Sequence, residues 1–259
     1  MRWVKTLTYF NRPIYVCLQD RDVSGHILHQ GVWDWQLSQY LMNNLKPDDV
    51  FLDVGANVGF FSLLAAHRFE GLNGSGRVIA VEANPVIHPY LMSTVVESGL
   101  AQRIRVLPYA ASDTMSLLQV NDQLRLEANL GAQNVSHCDF SAPAAGRQIV
   151  PAVRLDDVLV DLDRLNLVKM DVEGAEALAI KGMVSLLDRF RPDLLIEVNK
   201  ATLGLLCDTT VAGFFELMAS LGYKPHTVFG DVCPINTPDA ITLVEQHMLC
   251  DFLFRHEQL

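Results

Sequence analysis

Short apolar runs alternate along this chain with longer segments whose apolar positions recur at helical spacing. The run Val50–Val54 predicts a buried strand, and Phe60–Phe69 predicts the helix that follows it. Residues 77–83, 103–110, 165–171 and 192–199 predict further strands. Helices are expected over 33–45, from about Pro89, over 175–190 and from 211 to Gly222. Upstream, "PIYVCL" (13–18) and "HILH" (26–29) read as a hairpin around "QDRDVSG", and beyond Gly222 the chain reads as β-rich. "MSLLQV" and "RQIVPAV" read as strands on either side of a polar, irregular stretch from Asn121 to Gly146. Strands separated by helices imply parallel pairing with right-handed crossovers. The expected class is α/β: a doubly wound, mostly parallel, Rossmann-like sheet. An N-terminal hairpin and helix cap (1–45) is read as part of the same domain as 46–259, which ends in the β-rich tail.

Composition narrows the partners. Half of the 259 residues are hydrophobic and 19% are charged, enough to bury a large core. A net charge of −10 argues against a nucleic-acid partner, whose binding rests on Lys and Arg neutralising phosphates. The five cysteines (Cys17, Cys138, Cys207, Cys233, Cys250) form no CxxC pair and suit reduced thiols in a cytoplasmic protein. "MRWVKTLTYFNRP" is too short and polar for the core of a signal peptide, and no run reaches the roughly 18 apolar residues of a membrane span.

In an open parallel sheet, ligands sit beyond the carboxyl ends of the strands. Here those ends carry Asp53, Glu82, Asp113, Asp171 with Glu173, and Glu197 with Asn199. The first is followed by Gly55 and Gly59, which allow a ligand close to the backbone. The string lacks both the third glycine of GxGxxG and the Lys-Ser/Thr of a phosphate loop. Asp53 therefore suits a ligand with a cationic amino-acid end. Glu82 is placed to accept from ribose hydroxyls, and Asp113 from an adenine amino group. S-adenosylmethionine fits all three.

The strings "FLDVGANVGFFSLLAA", "VEANP", "YAASD", "VRLDDV" and "LVKMDVEGAEALAIKG" together resemble the FkbM-type family of class I S-adenosylmethionine-dependent methyltransferases. By that resemblance, Asp53, Gly55, Asn57 and Gly59 form the loop beside the methionine part, Glu82 holds the ribose and Asp113 the adenine. The implied cofactor set also takes in Ala56, Ala83, Asn84, Ser112 and Asp171. Ala83 replaces a frequent proline, and Trp33-Asp34 an aromatic-Glu pair. The resemblance implies methylation of a hydroxyl on a small-molecule acceptor: a sugar, glycolipid or natural product.

On the acceptor side, Asp171, Glu173 and Glu197 are expected to gather at the sheet's carboxyl edge, where like charges repel. Either one carboxyl holds a proton at a raised pKa and serves as general base, or Mg²⁺ binds at Asp171 and Glu197. Spacing offers no third ligand, which favours the base. His137 is a further candidate base. The bland alternative has Glu173 capping the next helix while Glu176 pairs with a surface lysine. Trp33 and Trp35 read as core residues, and residues 121–146 as a mobile lid. A nicotinamide-dependent oxidoreductase and a non-catalytic cofactor-binding scaffold remain as other function classes.

Overall fold

The computed structural model describes residues 1–120, 135–138, 148–204, 208–228 and 232–257. The chain divides into two compact units, Met1–Ala110 with Leu117–Pro151 and Ala111–Ser116 with Ala152–Leu259. Among the described residues no helix is long and apolar enough to cross a membrane.

The first unit opens with β1 (Trp3–Leu7) and β2 (Pro13–Cys17), an antiparallel hairpin in which Val4 faces Val16. Helices α1 (Val23–Gln30) and α2 (Trp35–Asn44) follow. The expected partner of residues 13–18 was "HILH", but that segment lies inside α1. Asp20 explains the difference: its carboxylate accepts from the amides of Asp22 and Ser24, turning the chain into a helix just after β2. Gly31, at φ 72°, then ends α1, and its amide donates to Ile27 O.

Strand β3 (Val50–Val54) is buried at all five positions, as a parallel strand covered on both faces must be. Helix α3 (Phe60–Gly71) leads to β4 (Arg77–Val81), and α4 (His88–Glu97) to β5 (Ile104–Leu107). β3 pairs in parallel with β4, and β4 with β5. Short strands β6 (Ala110–Ala111), β7 (Ser116–Val120), β8 (Val135–His137) and β9 (Gln148–Val153) come next, with β8 antiparallel to β7. Most of the 121–146 stretch lies outside the described residues.

The second unit holds α5 (Leu155–Val158), β10 (Leu167–Met170), α6 (Glu176–Lys181), α7 (Val184–Phe190) and β11 (Asp193–Asn199). It closes with α8 (Val211–Ser220), β12 (Tyr223–Thr227), β13 (Cys233–Pro234), α9 (Thr237–His247) and β14 (Leu249–His256). β10 and β11 are parallel, β14 runs antiparallel to β11, and β12 antiparallel to β14. Phe214 and Phe215 of α8 pack edge-on against Phe254 and Phe252 of β14, with centroids 6.1 and 5.3 Å apart.

Two expectations change here. The single helix over 175–190 is two, because Asp156 accepts from the amides of Ser185 (3.1 Å) and Leu186 (3.0 Å) and starts a new helix there. The tail is not purely β: α9 lies inside it, capped by Asn236, which accepts from the Asp239 amide, with Pro238 in the first turn.

Candidate active site

In the first unit, the turn after β3 places Gly55, Asn57 and Gly59 at φ 82°, 50° and 88°. The φ of Gly59 favours glycine, and a Cβ there would press on the end of the Leu91 side chain, 2.5 Å from Cδ1. The amides of Gly55 and Ala56 donate to Val81 O at 2.9 and 3.0 Å, tying the turn to the end of β4. Glu82 stands just past that end. Its Oε2 accepts from the Asn57 amide and its Oε1 from the Asn84 amide, both at 2.7 Å. Burial pushes the Glu82 carboxyl up, and those two amides work against the rise. Each oxygen still has a lone pair to offer, since a carboxylate accepts at about four positions. The Nε2 of His88 lies 2.8 Å from Glu82 O, and Asn84 opens the turn into α4 by accepting from the Val86 amide. Ala83 sits half-buried between these residues.

Asp53 is fully buried, and the hydroxyl of Ser62, equally buried, donates to its Oδ2 at 2.6 Å. One oxygen expected to face a ligand thus has an internal partner, which went unread in the sequence. The signal was there: a lone serine within the apolar run "FFSLLAA" must find a partner once buried. Asn57 Oδ1 is the opposite case, a buried acceptor without a hydrogen-bond partner among the described residues.

In the second unit, Ser112 is buried with its amide on Val153 O (2.9 Å), and half-buried Asp113 follows, its Oδ1 3.4 Å from Ser112 Oγ. A Cβ on Gly182 would come within 1.9 Å of Ser112 O, so the end of α6 closes onto this segment.

The expected acidic group assembles within this unit, with two additions. Register pairs Lys169 with Leu195, Met170 with Ile196, and Glu197 with Asp251. Asp171 follows Met170, so Asp171, Glu197 and Asp251 stand side by side on one face of β10, β11 and β14. Lys169, buried within β10 and two residues before Asp171, places its ammonium 3.1 Å from Asp171 Oδ2. Burial pushes the Glu197 carboxyl up to about 9, reinforced by Asp171, Asp251 and Glu173 and relieved by Lys169. Glu173 is pushed up to about 8, first by burial and then by Asp171 and Glu176. Both carboxyls hold protons at neutral pH.

Glu173 does not cap the helix, and Glu176 does not pair on the surface. Buried Glu176 instead braces the turn ahead of α6, accepting from the amides of Val172 (3.1 Å) and Gly174 (3.1 Å), while Glu173 sits at φ 52° and no side chain caps the helix. Its burial lifts Glu176 to about 7. Gly174, at φ 101°, has room for no side chain: a Cβ would lie 2.2 Å from Thr202 O.

The Mg²⁺ alternative gains no support from this arrangement. Among the described residues no group of three or more His, Cys, Asp or Glu could hold a metal ion, and the cation beside Asp171 is Lys169. His137 ends β8, opposite Leu118, but its side chain lies outside the described residues. Trp35 is 55% exposed, contrary to the core placement expected of it, and stacks edge-on with Tyr9. Asp34, at φ 41°, caps α2 by accepting from the amides of Gln36 and Leu37.

This α/β arrangement, with parallel strands, crossover helices and a glycine turn after β3, is the class I methyltransferase fold. Residues 53–225 match the Methyltransferase FkbM domain, and the chain belongs to that family. It is 30% identical over 162 residues to the 31-O-demethyl-FK506 methyltransferase FkbM of Streptomyces tacrolimicus, covering 54% of this chain and 61% of that protein. It is 24% identical over 169 residues to the methyltransferase sdnD of Sordaria araneosa, covering 56% and 64%. The chain thus spans less than two thirds of either relative. The crystal structure of a methyltransferase FkbM from Methylobacillus flagellatus shares the fold, with a TM-score of 0.51 at 18% identity over 83% of this chain and 45% of that one.

Proposed function

We propose that this chain is an S-adenosylmethionine-dependent O-methyltransferase acting on a hydroxyl of a small molecule: a sugar, glycolipid or natural product. The observation that carries the reading is Glu82, a buried carboxylate at the end of β4 whose two oxygens are aimed by the amides of Asn57 and Asn84. A carboxylate fixed in this way accepts two neighbouring ribose hydroxyls with little reorganisation. Asn57 Oδ1, buried and without a donor among the described residues, suits a cofactor that brings one. Asp113 is assigned to the adenine amino group. Transfer to oxygen is supported by the name of the Streptomyces relative, a methyltransferase of an O-demethyl compound.

Bound there, S-adenosylmethionine supplies an already activated methyl group. The protein then has to orient the acceptor and receive its hydroxyl proton. Asp171 is the residue assigned to that proton, which would pass to the carboxylate oxygen not engaged by Lys169. Glu197 and Glu173, neutral at pH 7, donate hydrogen bonds to acceptor oxygens. Neutral acids there also keep the edge from repelling itself.

Two measurements test the reading. Calorimetry should show S-adenosylhomocysteine binding, and mass spectrometry with labelled cofactor should show methyl added to members of a panel of glycosides and hydroxylated natural products. Binding of NADH with none of S-adenosylhomocysteine would instead make the protein an oxidoreductase. Cofactor binding without transfer to any acceptor in the panel would favour the scaffold.

A further inference from the structure

We propose that Ser62 is a positioning residue for the cofactor turn, acting through Asp53; the inference rests on the reading of residues 55–59 as that turn. Helix α3 has Gly59 at its N-cap and so no side chain to anchor its first turn. Ser62, the third residue of the helix, supplies the anchor from inside. Its hydroxyl donates at 2.6 Å to Asp53, which lies in β3 on the other side of the turn, and both side chains are fully buried. The bond therefore closes residues 54–61 into a loop whose two ends are joined by a short contact.

What the closure fixes is the Asn57 amide. Asn57 is a non-glycine residue at φ 50°, a conformation that persists only where its surroundings enforce it. Its N–H donates to Glu82 Oε2 at 2.7 Å, so the direction of the Glu82 carboxylate depends on the turn keeping its shape. From Ser62 to Asp53, through the turn to Asn57 and on to Glu82, each link is a hydrogen bond or a stretch of covalent chain. Ser62 itself is fully buried beneath the turn, so it acts on the ligand only through this chain.

The test compares Ser62→Ala, Ser62→Thr and Ser62→Cys with the wild type. The first readout needs no ligand: amide hydrogen exchange at Asn57 should speed up about tenfold in Ser62→Ala relative to core amides of β4. A purely structural loss would move all of these amides together. The second is calorimetry with S-adenosylhomocysteine, whose affinity should fall about five- to tenfold in Ser62→Ala, the size expected for one lost buried hydrogen bond. Threonine keeps the hydroxyl and should restore both readouts to within about twofold, while cysteine, similar in size but a weak donor, should fall between. Should alanine prevent folding, cysteine alone decides. Wild-type exchange and affinity in the folded alanine or cysteine variant would overturn the proposal. Failure of the wild type to bind S-adenosylhomocysteine would instead remove the cofactor reading, leaving the exchange result to judge whether Ser62 holds the turn.

Discussion

Glu82 is a buried carboxyl at the end of β4 and Glu197 a half-buried one on β11, and their surroundings differ in kind. Glu82 accepts from two backbone amides at 2.7 Å, donors that favour its ionised form. Glu197 faces Asp251 across β14 and has Asp171 beside it, neighbours that favour its proton. The first environment suits an acceptor of fixed direction for hydroxyl donors, and the second would suit a donor to oxygen if the proposed function holds. Burial raises both carboxyls, but backbone amides oppose the rise at Glu82 whereas neighbouring carboxylates reinforce it at Glu197.

The sharpest way to break this contrast is Asp171→Asn. If Asp171 takes the acceptor's proton, turnover should fall about a hundredfold or more while S-adenosylhomocysteine still binds. A wild-type rate in a folded variant would falsify the acceptor-side assignment. Next in size is Glu82→Ala, which should weaken S-adenosylhomocysteine about tenfold to a hundredfold, or roughly 1.5–3 kcal/mol, by calorimetry. Unchanged affinity would mean that the ribose is not held there.

Gly174→Ala should cost about 1–3 kcal/mol in denaturant unfolding, because φ 101° and the Thr202 carbonyl both oppose a side chain. A neutral result would show that the Glu173–Gly174 turn can relax. A further prediction concerns pH. Glu197 and Glu173 bind protons more tightly when folded, at about 9 and about 8, than at the ordinary value of 4.5. Their contribution to stability is therefore full below pH 4.5 and is lost as pH rises to about 9, after which it levels off. The melting temperature should fall across that range, by about 2–4 °C for each kcal/mol lost, and Glu197→Gln should flatten the fall. A slope identical to the wild type's would place the proton elsewhere.

Much of this was legible in the sequence where a local pattern had a single physical outcome. Val50–Val54 followed by Gly55 and Gly59 admits few structures other than a buried strand and a tight turn. Contacts between distant segments were not legible. Asp251 lies beyond the 53–225 match, and only the antiparallel return of β14 sets it opposite Glu197. Lys169 reads as one charge in an apolar strand until its two-residue offset from Asp171 is given a face. Helix α1 was missed because the Asp20 turn that starts it lay inside the segment taken for a hairpin loop. Asp156, 29 residues before Ser185, divided a run whose periodicity was continuous.

The Asp156 contacts carry one more consequence. This side chain holds the first amides of α7 and a guanidinium nitrogen of Arg154, while its own amide donates to Gly182 O. Residues 154–157 and the opening of α7 are thus laced together across a long stretch of intervening chain. Neither can swing away while the other stays in place. Thermal fluctuations that release α7 must release both pieces at once, so a protease able to cut one of them in the native protein should find the other exposed in the same moment.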